Sequence, residues 1–157
     1  MSENDLAQIA YLLRRAGFGA RRDELEAYAA KGYDNVVAEL LHPERFPEVE
    51  DDVFDRYYGQ ELHPEYTAHW IYRMINTRRP LEEKMTLFWH HVFATSWPKA
   101  AHGPSSYAQI DTFRRNGLSD LRTILVDLSR DPSMIYWLDN NENHDGDPNE
   151  NYGRELL

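Results

Sequence analysis

Apolar residues in this chain recur at helical spacing along most of its length. Leu6, Ile9, Ala10, Leu12 and Leu13 predict a first helix from Asp5, ended by Gly17. Leu25, Tyr28 and Ala29 predict a second over Asp23 to Lys31, stopped by Gly32. Asp34 then caps a third through Val36, Val37, Leu40 and Leu41, which Pro43 ends. Pro64 opens a helix whose inward stripe is Tyr66, Trp70, Ile71 and Met74. After a loop from Trp97, the residues Tyr107, Ile110 and Phe113 predict another, ended by Gly117. Ser119 caps the next, with Leu121, Ile124, Leu125 and Leu128, and Pro132 starts a short one carrying Met134, Ile135, Trp137 and Leu138. Asp147 and Pro148 mark a last helix start. Strand alternation and Asn-Gly hairpin signals do not occur in the sequence. The pattern therefore predicts an all-α fold, an irregular bundle of about seven or eight helices.

The bundle is organised around residues 80–95, within the stretch RPLEEKMTLFWHHVFATS. Leu81, Met85, Phe88 and Val92 make one stripe of a helix opening at Pro80, and Leu87, Trp89 and Phe93 occupy other faces. A helix apolar on nearly every side is expected to be buried. Glu83 and His90 lie two turns apart and project together, almost opposite the Leu81 stripe. A carboxylate and an imidazole on a buried helix need partners, which makes this face the first candidate for chemistry.

Charge narrows the classes of function. The chain has 157 residues, 17 basic and 27 acidic side chains, and a net charge of −10. That balance disfavours nucleic acid and anionic membrane as main partners. The excess is local: it falls in residues 42–65, within which 42–63 reads as an acidic, proline-containing linker, and in residues 139–157. With no cysteine, disulfides, thiolate metal sites and cysteine nucleophiles are excluded. The N-terminus has acids where a signal peptide needs bases, and no apolar run approaches about 18 residues, so the chain is expected to be soluble and cytoplasmic.

LLRRAGFGA near the start, RPLEEKMTLFWHHVFATS in the middle and DPSMIYWLDNNENHDGDPNENYGREL at the end resemble the bacterial family called domain of unknown function 1800. The likeness covers almost the whole chain. It implies a longer protein that continues past this point, so residues 1–157 are expected to be either a single all-helical domain or the N-terminal fragment of a larger one. It also implies that Glu83, His90, Asp139, Asn140, Asn149, Glu150, Asn151, Arg154 and Glu155 are the family's shared polar positions. Where relatives carry Trp-His-x-His-Phe, this chain has Trp89, His90, His91, Val92 and Phe93. A two-histidine ligand set therefore does not carry over.

The candidate chemistry falls into three groups. Glu83 and His90 suit an acid/base pair or metal ligands, or equally a structural pair tied to backbone or an arginine. His91, and His102 from the following loop, are further candidate ligands for a metal ion, though nothing in their spacing imposes a ligand geometry. In the polar loop, Asp139, Asn141, Asn143, Asp145, Asp147 and Glu150 follow a calcium-loop rhythm, but His144 stands where glycine is needed and Pro148 intrudes, so a solvated loop fits better. In PNENYGREL, Glu150 and Arg154 are four apart, as are Asn151 and Glu155. Arg154 suits a carboxylate or phosphate, and Asn149 falls near a helix N-terminus. The dipeptide Arg14-Arg15 ahead of Gly17 and Gly19 lacks any phosphate-loop pattern.

Two functions fit. One is an enzyme, metal-assisted or hydrolytic, with His90, Glu83, Glu150, Arg154 and Glu155 catalytic and Asp139, Asn140, Asn149 and Asn151 binding substrate between the central helix and the C-terminal segment. The other is a non-catalytic helical module for protein assembly, in which the polar cluster is architecture and Tyr57, Tyr58 and Trp97 meet a protein partner.

Overall fold

A computed structural model describes residues 2–50, 52–57, 63–100 and 102–156. Among them the helices are α1 (Glu3–Arg15), α2 (Arg22–Lys31), α3 (Tyr33–Leu41), α4 (Asp52–Tyr57), α5 (His63–Asn76), α6 (Pro80–Val92), α7 (Trp97–Ala100), α8 (Gly103–Asn116), α9 (Leu121–Leu128), α10 (Pro132–Trp137) and α11 (Asn151–Glu155). Two 3-10 turns, Pro43–Arg45 and Asn140–Glu142, complete the regular structure, and no strand occurs among the described residues. The fold is all-α, as the apolar periodicity indicates.

Local signals explain where the helices begin. Ser2 and Asp5 form a reciprocal capping box on α1, with Ser2 Oγ accepting from the Asp5 N–H at 3.1 Å and the Asp5 carboxylate accepting from the Ser2 N–H at 2.8 Å. Asp131 caps α10 through the Met134 N–H at 2.8 Å, with Pro132 at the first helical position. Several starts differ from the sequence pattern. A short helix, α7, stands where a loop was expected, and α8 begins at Gly103 with His102 as its cap. Asp120 rather than Ser119 caps α9, accepting from the Thr123 N–H at 3.0 Å. The last helix starts at Asn151 instead of Asp147, because residues 144–147 close a tight turn and the Asn149 side chain takes the Asn151 N–H at 2.9 Å.

The core has two apolar clusters. Ile9, Leu13, Val36 and Leu40 tie α1 to α3, with Leu81 of α6 packed against them. Phe113, Ile124, Leu128 and Met134 join α8, α9 and α10, with Trp89 and Phe93 from the end of α6. The central helix spans the distance between the clusters and packs mainly on α8. Between the clusters lies a polar layer.

That layer sets the facing of two helices, and it leaves outward several apolar residues expected to be buried. On α6 the fully buried side chains are Glu83 and Thr86, while Leu87, Phe88 and Val92 are exposed. On α5 the buried residues Tyr66, His69, Trp70 and Arg73 recur at helical spacing, and Ile71 and Ile75 face solvent. Both helices turn a polar face inward because each supplies what the other lacks.

Close packing of α6 on the end of α8 depends on Gly117. A methyl group there would lie 2.6 Å from the Phe113 carbonyl oxygen and 3.3 Å from both Met85 Cβ and Trp89 Cδ1. The Gly117 carbonyl also accepts from the Trp89 indole N–H at 2.9 Å. Gly117→Ala is expected to lower the unfolding free energy by about 1–3 kcal/mol. Gly153→Ala, where nothing lies within 4 Å of the added methyl, is expected to cause no loss; urea titration of both variants checks the contrast.

Candidate functional site

The polar layer centres on the Glu83 carboxylate, which is 1% exposed. Arg114 of α8 donates to it as a fork, Nε to Oε1 at 2.8 Å and Nη2 to Oε2 at 3.5 Å. Arg73 Nε of α5 reaches Oε1 at 3.4 Å, and the Trp70 indole N–H donates to Oε2 at 3.1 Å. Arg114 is itself buried and also pairs with Asp111. Burial works against its charge, but the Glu83 carboxylate outweighs that and holds the guanidinium above its ordinary pKa. Two carboxylates face two guanidiniums, and each Glu83 oxygen has at least two donors.

A second set of buried polar groups runs beside the first. Thr95 Oγ1 donates to Gln109 Oε1 at 2.8 Å, and Gln109 Nε2 donates to Asp131 Oδ1 at 2.7 Å. Burial raises the Asp131 pKa, opposed by its bonds to the Met134 N–H and to Gln109. Glu82, next to Glu83, is also raised by burial, with Arg79 opposing. Arg79 extends the network outward, donating to the Phe46 carbonyl at 2.9 and 2.6 Å and so holding the acidic segment on α6.

His90 shares the inward side of α6, yet no hydrogen bond joins it to Glu83 among the described residues. Its ring lies edge-on to Trp70, centroids 5.3 Å apart, and near Phe113 at 6.5 Å. Its Nδ1 is buried without a hydrogen-bond partner among the described residues. Burial, and secondarily the neighbouring His91, hold the imidazole below its ordinary pKa. His91 itself is exposed, and His102 serves as the α8 cap. Among the described residues, no three His, Asp or Glu side chains converge as a metal site would require.

The C-terminal candidates gather elsewhere. Asp139, at φ 58°, pairs with Lys99 at 2.7 Å. Asn140 Oδ1 accepts from Asn143 Nδ2 at 3.1 Å. Asn149 Nδ2 donates to the Asp139 carbonyl, and Asn151 Nδ2 to the Leu138 carbonyl, both at 3.3 Å, so the two asparagines close the loop upon itself. Arg154 pairs with Glu150 at 3.5 Å and donates to Asn151 Oδ1 at 2.7 Å, while Glu155 lies 4.0 Å from it. Asp139, Asn151, Arg154 and Glu155, with Lys99, border a pocket of ≈ 430 Å³ whose apolar lining includes Phe93, Met134 and Trp137. Glu83 and His90 do not line it. Of the expected partner-facing aromatics, Trp97 is half-buried against Gly103, Tyr57 closes α4, and Tyr58 lies outside the described residues.

The residues missing from the sequence reading are Trp70 in its hydrogen-bonding role, Arg73, Arg114 and Lys99. The spacing Tyr66, His69, Trp70, Arg73 was a usable signal for a polar inward face on α5. Arg114 had no comparable signal, since it lies 31 positions from Glu83.

The lowered His90 pKa has a consequence for stability. The unfolded chain takes up this proton near pH 6.5, whereas the folded chain does so only at lower pH. Stability contributed by the neutral ring is present above that pH and lost as pH falls through the folded value. His90→Gln is therefore expected to flatten the decline in urea midpoint between pH 7.5 and 5.5, and an unchanged decline would contradict this assignment.

No curated protein and no solved structure matches this chain. The family model described as protein of unknown function, DUF1800, matches residues 11–157. That span takes in all of the polar layer, the loop closed by asparagines and the whole LLRRAGFGA segment, and the chain accordingly belongs to the DUF1800 family.

Proposed function

We propose that this chain is a non-catalytic helical module for protein assembly. The observation that supports it is the saturation of Glu83. Its oxygens accept from Trp70, Arg73 and Arg114 inside the core, so the carboxylate has no vacant position for a substrate proton or a metal. The same arrangement leaves Ile71, Ile75, Leu87, Phe88 and Val92 exposed on the two helices that carry it. Of these, Ile71 and Ile75 lie one turn apart and border one groove, and exposed apolar surface of that kind is the material of protein contacts.

An enzymatic reading has one observation in its favour. The pocket bordered by Lys99, Asp139, Asn151, Arg154 and Glu155 combines an aromatic lining with charged groups of both signs. On that reading Arg154 and Lys99 hold an anionic group of the substrate, and Glu155 is the acid or base. Each of these groups is already paired within the chain, and Glu83 and His90 stand apart from them.

Two measurements on the full chain separate the readings. Glu83→Gln removes the buried anion that Arg73 and Arg114 share and is expected to lower the unfolding free energy by about 3–5 kcal/mol. Elemental analysis is expected to find no stoichiometric metal in the chain or in His90→Gln. A stoichiometric metal that disappears in a folded His90→Gln variant would overturn the assembly reading, as would a Glu83→Gln variant as stable as the parent.

A further inference from the structure

LLRRAGFGA takes no part in the polar layer, yet it is tightly built. Gly17 lets the end of α1 meet α6, since a methyl there would come within 3.0 Å of Pro80 Cβ. Gly19 has φ +89°, and its N–H returns to the Leu13 carbonyl at 3.1 Å. Between these two glycines Phe18 is held outward, 44% exposed, with Lys84 Nζ 5.3 Å from its ring centroid.

Phe18 stands at the edge of a groove of ≈ 1000 Å³ between the α1–α2 corner and the last turns of α5. Leu13, Leu25 and Met74 line it. Ile71 and Ile75, one turn apart on α5, continue its apolar surface and are 47% and 75% exposed. Arg14 borders the same groove and, like Lys84, makes no ion pair among the described residues. The acid in the lining, Glu24, is turned to its own helix start, accepting from the Arg21 N–H at 2.7 Å. In a chain of net charge −10 this is a local reversal of sign beside exposed aliphatic residues.

We propose that this groove binds an acidic amphipathic helix of a protein partner. The partner's apolar stripe packs on Phe18, Ile71 and Ile75, and its carboxylates meet Arg14 and Lys84. A trough between helices, lined by aliphatic and aromatic side chains, matches the helix-in-groove mode of recognition. Screening at physiological salt, with a reach of about 8 Å, weakens the opposition of the chain's acidic segments. A second copy of this chain is a poorer occupant, since it would bring the same basic rim, Arg14 and Lys84, rather than an acidic surface to the contact. An anionic bilayer is flat and would leave the trough lined by Leu13, Leu25 and Met74 unfilled.

The inference rests on the assembly reading above, and its test is separate. The probes are a synthetic amphipathic helical peptide with leucines at i, i+3, i+4 and i+7 flanked by glutamates, and the same peptide with lysine for each glutamate. Fluorescence anisotropy with the full chain is expected to show binding of the acidic peptide and at least about tenfold weaker binding of the lysine version. Ile75→Glu and Arg14→Glu alter exposed residues, and each is expected to weaken the acidic peptide by about tenfold while circular dichroism stays unchanged. The proposal is overturned by no binding of the acidic peptide, by equal binding of the two peptides, or by both variants binding as the parent does. Equal capture by phosphatidylglycerol vesicles, or self-association abolished by Ile75→Glu, would overturn it in favour of a membrane or a second copy. If the peptide is ignored while Glu83→Gln remains destabilising, the groove alone is overturned; metal bound through His90 would remove the assembly reading whatever the peptide does.

Discussion

A carboxylate sealed inside a helical core is stable as an anion only where donors and opposite charge surround it, and Glu83 sets that requirement for this molecule. Trp70, Arg73 and Arg114 meet it from two other helices. Each of those groups has its own need for a partner, because an unpaired buried guanidinium is as costly as an unpaired buried carboxylate. The relative rotation of α5, α6 and α8 about their axes follows from these bonds as much as from apolar packing. The helices can slide or turn only by breaking several charge-assisted hydrogen bonds together.

The display of apolar residues is the other side of this arrangement. A helix has one circumference, and a face given to Glu83 and Thr86 turns Phe88 and Val92 outward. The same holds on α5, where burial of Trp70 and Arg73 leaves Ile71 and Ile75 in solvent. The apolar material removed from the centre is recovered at the two ends of α6, where Leu81 meets the α1–α3 cluster and Trp89 and Phe93 meet the cluster of α8 to α10. The chain therefore combines a polar middle with apolar flanks, and its surface carries side chains that a self-contained bundle would bury.

Helix existence was legible in the sequence because it depends on local periodicity and on nearby stop and start residues. Gly32, Pro43, Pro80 and Pro132 fall at the boundaries where their chemistry requires them. The short α7 and the exact start of α11 were not legible, since both depend on loop hydrogen bonds such as Asn149 to Asn151 rather than on apolar spacing. The sequence also singled out Glu83 and His90 as inward-facing polar residues that would need partners. It could not name those partners: Arg114 lies 31 positions away, and an arginine between Phe113 and Arg115 reads as ordinary helix surface. For the same reason the sequence did not show which side of α6 faces outward, since apolar residues lie on nearly every face. Periodicity identifies a stripe, but the choice of face here is decided by non-local pairing. The C-terminal polar residues lie close together along the chain, while their separation from Glu83 and His90 depends on tertiary placement.

The claim that the Glu83 pairing fixes this core is tested most directly by a double-mutant cycle on unfolding free energy. The cycle uses Glu83→Leu, Arg114→Met and the two together, with Arg73 left in place. Coupling of about 2 kcal/mol or more between the two sites is the result this account predicts. Single losses that simply add, within about 0.5 kcal/mol, would contradict it and show that the layer is held by apolar packing around Glu83 rather than by the charge-assisted bonds.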